Sequence, residues 1–130
     1  MKRISPQWIE TLNANEVFVF GSNIQGFHGG GAAAVAQRWG AIWGQGVGLH
    51  GQTYAIPTMQ GSLEKIEPYV NEFLNFTQMR LDLVFLVTEV GCGLAGYTVQ
   101  QMAPLFKSAL NEKFQNVYLP NSFHDFLSSF

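Results

Sequence analysis

The chain has 130 residues, of which 47% are hydrophobic and 12% charged, with a net charge of −2. A chain this apolar and this poor in charge is not disordered. It lacks the basic footprint of a protein that grips duplex nucleic acid by its phosphates. At this length one domain is expected, spanning residues 1–130 and burying roughly two thirds of the surface its unfolded form exposes. Met1-Lys2-Arg3 opens the chain without a following apolar stretch, so no secretory signal is read. No apolar run approaches the ~18 residues of a membrane span, so no membrane partner is expected. Cys92 is the single cysteine, which rules out an internal disulfide and suits a cytoplasmic location.

In chain order, Val17-Phe18-Val19-Phe20 reads as a buried strand feeding a loop at Gly21-Ser22-Asn23. Behind Gly29-Gly30-Gly31, the run Ala32–Trp39 predicts a helix stopped by Gly40. Gly44 to Gly51 is expected to be irregular. Tyr54-Ala55-Ile56 predicts a strand ended by Pro57. Ile66, Tyr69, Val70, Phe73, Leu74 and Thr77 follow helical spacing, with Pro68 expected in the first turn. Leu83–Val87 is the longest apolar run and predicts a central strand. It ends in Gly91-Cys92-Gly93-Leu94-Ala95-Gly96-Tyr97. Thr98 and Gln101 form a capping-box pattern before a helix carrying Met102, Leu105, Phe106 and Leu110. Val117-Tyr118-Leu119 predicts a last strand, and Ser122 with Asp125 is expected to cap a short final helix. The Phe-rich tail Phe123, Phe126, Leu127 and Phe130 offers a docking surface for a partner or a second copy of the chain.

Strands alternating with helices imply an α/β fold of three layers, α/β/α, around a largely parallel, mixed sheet. Ten of the 14 glycines lie in Gly21–Gly51 and three more in Gly91–Gly96. Both clusters follow a strand and precede a helix. Both therefore fall at the carboxyl edge of the sheet, where such folds bind ligands. Three glycines before a helix leave its first N–H groups open to an anion. The first loop lacks the Lys-Ser/Thr ending of a phosphate-cradling Walker motif.

The ordered set of motifs resembles the macro-domain family. Val19-Phe20-Gly21-Ser22-Asn23 followed by Gly29-Gly30-Gly31-Ala32-Ala33 is similar to that family's first loop, and Gly93-Leu94-Ala95-Gly96-Tyr97 to its second. Gly51-Gln52-Thr53-Tyr54-Ala55-Ile56-Pro57-Thr58 resembles the segment between them. Val90-Gly91-Cys92-Gly93-Leu94 resembles the branch that removes ADP-ribose from glutamate. The match covers roughly Val17 to Leu119. The resemblance implies an ADP-ribose-like nucleotide, or an ADP-ribosylated protein, as partner. It implies Asn23 at the distal ribose, Tyr97 stacked near it, and the Gly29–Gly31 and Gly91–Gly96 loops clamping the diphosphate. The binding set expected is thus Gly21, Ser22, Asn23, His28, Gly29, Gly30, Gly31 and Ala32 with Gly91, Cys92, Gly93, Leu94, Ala95, Gly96 and Tyr97.

The family's catalytic groups are missing: Ala32-Ala33-Ala34 stands where hydrolytic members carry an Asp, Ala95 follows Leu94, and Thr58-Met59 stands near a family Lys. No paired glutamates of the poly(ADP-ribose) glycohydrolase type occur. Glu89 and His28 remain as candidate catalytic groups, each able to serve as acid or base. Cys92 between two glycines reads as a small buried residue rather than a nucleophile. His28, His50 and His124 lack ligand spacing, so no metal is expected, and no cofactor. Trp39, Trp43 and Gln45 have roles that stay open. Three functions stand side by side: a nucleotide-binding module with weak ADP-ribosyl hydrolysis, an enzyme on another phosphorylated nucleotide using Glu89 or His28, and an interaction protein that keeps only the fold.

Overall fold

The computed structural model describes residues 2–129. Its elements are β1 (Ile4–Ser5), β2 (Glu16–Ser22), α1 (Gly31–Ala36), β3 (Gly48–His50), β4 (Thr53–Pro57), α2 (Leu63–Met79), β5 (Val84–Val87), α3 (Val99–Met102), β6 (Val117–Pro120) and α4 (Asn121–Ser128). They build a six-stranded sheet in the order β1-β6-β5-β2-β4-β3. All pairs are parallel except β3–β4. The expected mixed, largely parallel sheet between helical layers is what the chain forms.

Chain order and handedness explain where the helices lie. From β2 the chain moves through α1 to β4 on one side, then back through α2 to β5 on the other. Right-handed crossovers in opposite directions put their helices on opposite faces. Strand alternation in β2 records the same split. Val17 and Val19 face the layer of α2, α3 and α4, while Phe18 and Phe20 face α1 with Ala33 and Ala36. The α2 layer carries most of the core, with Phe73 packed on Tyr54 at 5.0 Å and edge-on to Phe85 at 5.7 Å. The α1 layer is thinner and is completed by Ile9, Leu12 and Trp39.

Several elements differ from the sequence reading. Helix α2 starts at Leu63, capped by the Ser62 hydroxyl, which accepts from the Lys65 N–H. Pro68 therefore lies inside the helix, on its exposed side, where water can satisfy the carbonyl its missing N–H leaves unpaired. The capping box Thr98/Gln101 forms, but α3 lasts only four residues before a 3₁₀ stretch, Ala103–Leu110. Pro104 cannot donate an α-helical bond there. Gly48–His50 is an antiparallel edge strand rather than irregular chain. The two-residue β1 is too short for periodicity to reveal. It is held by Arg3, whose guanidinium donates to the carbonyls of Phe114, Val117, Leu110 and Asn111. In the tail, Phe123 and Leu127 are buried within the chain's own core. Phe130 lies outside the described residues.

A buried amide locks the amino end of β6 to the end of α2. Asn116 Nδ2 donates to the carbonyls of Thr77, Arg80 and Leu83, and its Oδ1 accepts from Gln78. Truncation leaves the Leu83 carbonyl without a donor, removes a second donor from the Thr77 and Arg80 carbonyls, and takes an acceptor from Gln78, and such losses are costly when buried. Asn116→Ala is expected to lower stability by about 2–3 kcal/mol, read as a shift in the urea midpoint at unchanged slope.

Candidate functional site

The five parallel strands end at Ser5, Ser22, Pro57, Val87 and Pro120, all at one edge of the sheet. A cavity of about 1000 Å³ opens there, at the upper end of small-molecule sites, which run from roughly 300 to 1,000 Å³. Every one of these strand ends contributes to its lining. Trp8 and its neighbours follow β1, Asn23 follows β2, Thr58 and Met59 follow β4, Thr88 and Glu89 follow β5, and Asn121 and Ser122 open α4 after β6.

The two glycine loops meet because β2 and β5 are adjacent strands. A Cβ on Gly21 would lie 3.1 Å from the Gly91 nitrogen, and one on Gly30 would lie 3.3 Å from Leu94 Cδ1. The second loop is shaped by its own backbone bonds, Cys92 to Glu89, Gly96 to Gly93 and Tyr97 to Gly91. Gly91 makes that turn at φ +80° with Met102 Sδ 2.8 Å from where a Cβ would stand, so only glycine fits. Among the described residues, the N–H groups of Gly30, Gly31 and Ala32 in the first loop and of Gly93, Leu94 and Ala95 in the second make no hydrogen bond. All six residues line the cavity. No side chain caps α1, and none caps α4.

The charge around these amides is unusual. Among the described residues, no Lys, Arg or His lines the cavity, and its charged side chains are Glu89 and Asp125. Glu89 is exposed, and its Oε2 accepts a 2.5 Å hydrogen bond from Ser122 Oγ. The expected cap by Ser122 and Asp125 is not formed. The helix begins two residues earlier than such a cap would set, at Asn121 with Pro120 in the cap position, and Ser122 turns to Glu89 instead. Cys92 is half-buried, and burial, reinforced by the Glu89 carboxylate, pushes its thiol up to about 11. It is therefore a neutral thiol at physiological pH, not an activated nucleophile.

Of the expected binding residues, Gly21, Ser22, Asn23, Gly30, Gly31, Ala32, Gly91, Cys92, Gly93, Leu94 and Ala95 line the cavity, as does Glu89. His28, Gly29, Gly96 and Tyr97 do not. His28 is buried, with Nε2 2.9 Å from the Ile42 carbonyl and 3.1 Å from the Gln45 carbonyl. Both partners are acceptors, so Nε2 carries the proton. Its ring packs edge-on against Phe20 and Trp43. This places His28 as a fastener of the Ile42–Gln45 loop rather than an acid or base in the cavity. Tyr97 is half-buried against the helical core. Asn23 uses its side-chain oxygen to accept from the Phe27 N–H and its amide to donate to the Phe27 carbonyl, closing the first loop on itself.

The wall contributed by Trp8, Thr58, Thr88 and the start of α4 escaped the sequence reading. These residues carry no glycine signature; their only signal is position immediately beyond a strand. The Ile42–Gly46 loop is tied to the first glycine loop by Gly44 N–H to Gly26 and Ser22 Oγ to Gly46. A Cβ on Gly46 would collide with the Asn23 carbonyl, which explains the glycine there. No family model matches the chain, and no significant match was found among curated proteins or solved structures. No helix among the described residues is long and apolar enough to cross a membrane, and no group of histidine, cysteine or acidic residues among them is placed to hold a metal.

The two loop glycines separate structural from ligand effects. Gly91→Ala is expected to cost about 1–2 kcal/mol or more from the left-handed backbone alone, whereas a Cβ on Gly93 meets nothing within 4 Å. Gly93→Ala should stay within about 0.5 kcal/mol of the parent, a contrast that thermal unfolding of the pair checks. The raised Cys92 thiol gives a second expectation. Its ionisation is harder in the folded chain than at the ordinary value of 9.0, so its contribution to stability is full below pH 9 and is lost by about pH 11. Tyr54, pushed up to about 12 chiefly by burial and secondarily by Glu72, acts in the same direction above pH 10. The urea midpoint should therefore fall across this alkaline range, beginning later in Cys92→Ser.

Proposed function

We propose that the cavity binds ADP-ribose or a related nucleoside diphosphate, free or attached to a protein. The observation that carries this reading is the pair of unbonded amide sets, Gly30–Ala32 and Gly93–Ala95, lining one cavity. A diphosphate needs several convergent donors and close backbone approach, and consecutive glycine-rich amides supply both. The lining has no cationic side chain, so main-chain donors carry the recognition. The motif order that resembles the macro-domain family supports the same ligand. The lone, neutral Cys92 accords with a cytoplasmic setting.

Calorimetry with ADP-ribose, AMP and NAD tests the reading. ADP-ribose is expected to bind with measurable heat, and Gly93→Val to weaken it about tenfold or more while unfolding at the parent temperature. Absence of heat or competition from all three nucleotides ends it.

One observation favours added hydrolytic chemistry. Glu89 lines the cavity with Oε2 held by Ser122, which leaves Oε1 as the oxygen that would take a proton from water. On a panel of ADP-ribosyl and nucleotide substrates, Glu89→Gln should slow turnover at least tenfold without loss of binding. Equal rates in parent and variant remove Glu89 from catalysis.

A further inference from the structure

We propose that the ligand carries a planar aromatic group beyond each end of its phosphates, as in a dinucleoside diphosphate, and that Phe27, backed by Trp43, stacks on the second ring. This rests on the nucleotide reading above and narrows its ligand class. Among the described residues, two exposed aromatic side chains line the cavity: Trp8, 79% exposed, and Phe27, 58% exposed. They arrive from different strands. Trp8 follows β1 and Phe27 follows β2, with β6 and β5 between them in the sheet. At about 4.8 Å per strand, the two strand ends they extend from stand about 14 Å apart. The loop with the unbonded Gly93, Leu94 and Ala95 amides follows β5, which lies between β1 and β2 in that order. In the order of the strands they extend from, the sheet edge thus carries Trp8, the Gly93–Ala95 amides and Phe27.

The Phe27 face is built rather than merely left exposed. Phe27 stacks on Trp43 with centroids 5.8 Å apart and planes within 25°. The Phe27 backbone is pinned on both sides by the Asn23 side chain. The Trp43 loop is pinned by the Gly44 N–H to Gly26 and by the buried His28 imidazole, which reaches both Ile42 and Gln45 carbonyls. A buried histidine thereby holds a pair of solvent-facing rings in place, and such preorganisation lowers the ordering cost of whatever covers them. A ligand ending in a sugar offers hydroxyls to this apolar face. A ligand ending in a base covers it with a ring, and base–aromatic stacking is sequence-tolerant and strong enough to raise affinity about tenfold or more.

ADP-ribose, NAD and diadenosine diphosphate share one adenylate half and differ in whether a ring closes the other end. Calorimetry of the full chain with these three probes is expected to show NAD and diadenosine diphosphate binding about tenfold tighter than ADP-ribose. Phe27→Ala should erase that advantage and leave ADP-ribose affinity unchanged, while Phe27→Tyr keeps it. If ADP-ribose binds as well as the two-ringed probes, or Phe27→Ala weakens all three equally, the inference is overturned while the nucleotide site stands. If none of the three binds, both fall together.

Discussion

The adjacency of β2 and β5 is the constraint on which the site depends. Parallel neighbours end at the same edge, so the loops that leave them must pass within contact distance. Gly21 against the Gly91 nitrogen is where this happens. A side chain at Gly21 would press on that nitrogen and on Thr58, and the loops would part. The fold reaches this adjacency by moving first to β4 and then back across β2 to β5, the reversal at which a crevice opens in sheets of this kind. Much of the cavity follows: the unbonded amides, the position of Leu94 beside Gly30, and Glu89 two residues beyond the end of β5.

The molecule divides labour between its two faces. The α2 side holds the dense aromatic core and the buried Asn116 network, while the α1 side is thin and leaves room for a guest. Phe18, Ala33 and Val35 belong to the α1 face and also line the cavity. Small side chains at the start of α1 therefore serve the opening as much as the packing. The larger core lies on the α2 side, and the cavity draws its walls from α1, from the strand-end loops and from the start of α4, so alanine-rich α1 need not be a strong helix by itself.

The fold was legible in the sequence because its strands are apolar runs and its main helix repeats at 3.6-residue spacing. Val17–Phe20, Tyr54–Ile56, Leu83–Val87 and Val117–Leu119 each announced a strand. The amide half of the cavity was legible too, since glycines cluster where backbone must turn sharply or come close. The other half was not. Trp8 sits beyond a strand of two residues, and Ser122 looks like a helix cap until Glu89 is seen beside it. His28 was misplaced for a related reason. Its position next to three glycines suggested a solvent-facing acid or base, but Phe20 and Trp43 draw the ring inward, where two carbonyls engage it. Sequence spacing records what is local, and these placements are set by partners far along the chain.

The walls of the cavity come from opposite ends of the chain, with Trp8 early and Asn121–Asp125 late. A ribosome adds residues in order, so both glycine loops, the second ending at Gly96, are made 25 residues before Asn121 of the last wall. A nascent polypeptide would hold an unfinished crevice until α4 leaves the exit tunnel and seats Phe123 against Phe106. A chain lacking α4 would therefore keep both glycine loops and lose the wall that Asn121, Ser122 and Asp125 supply.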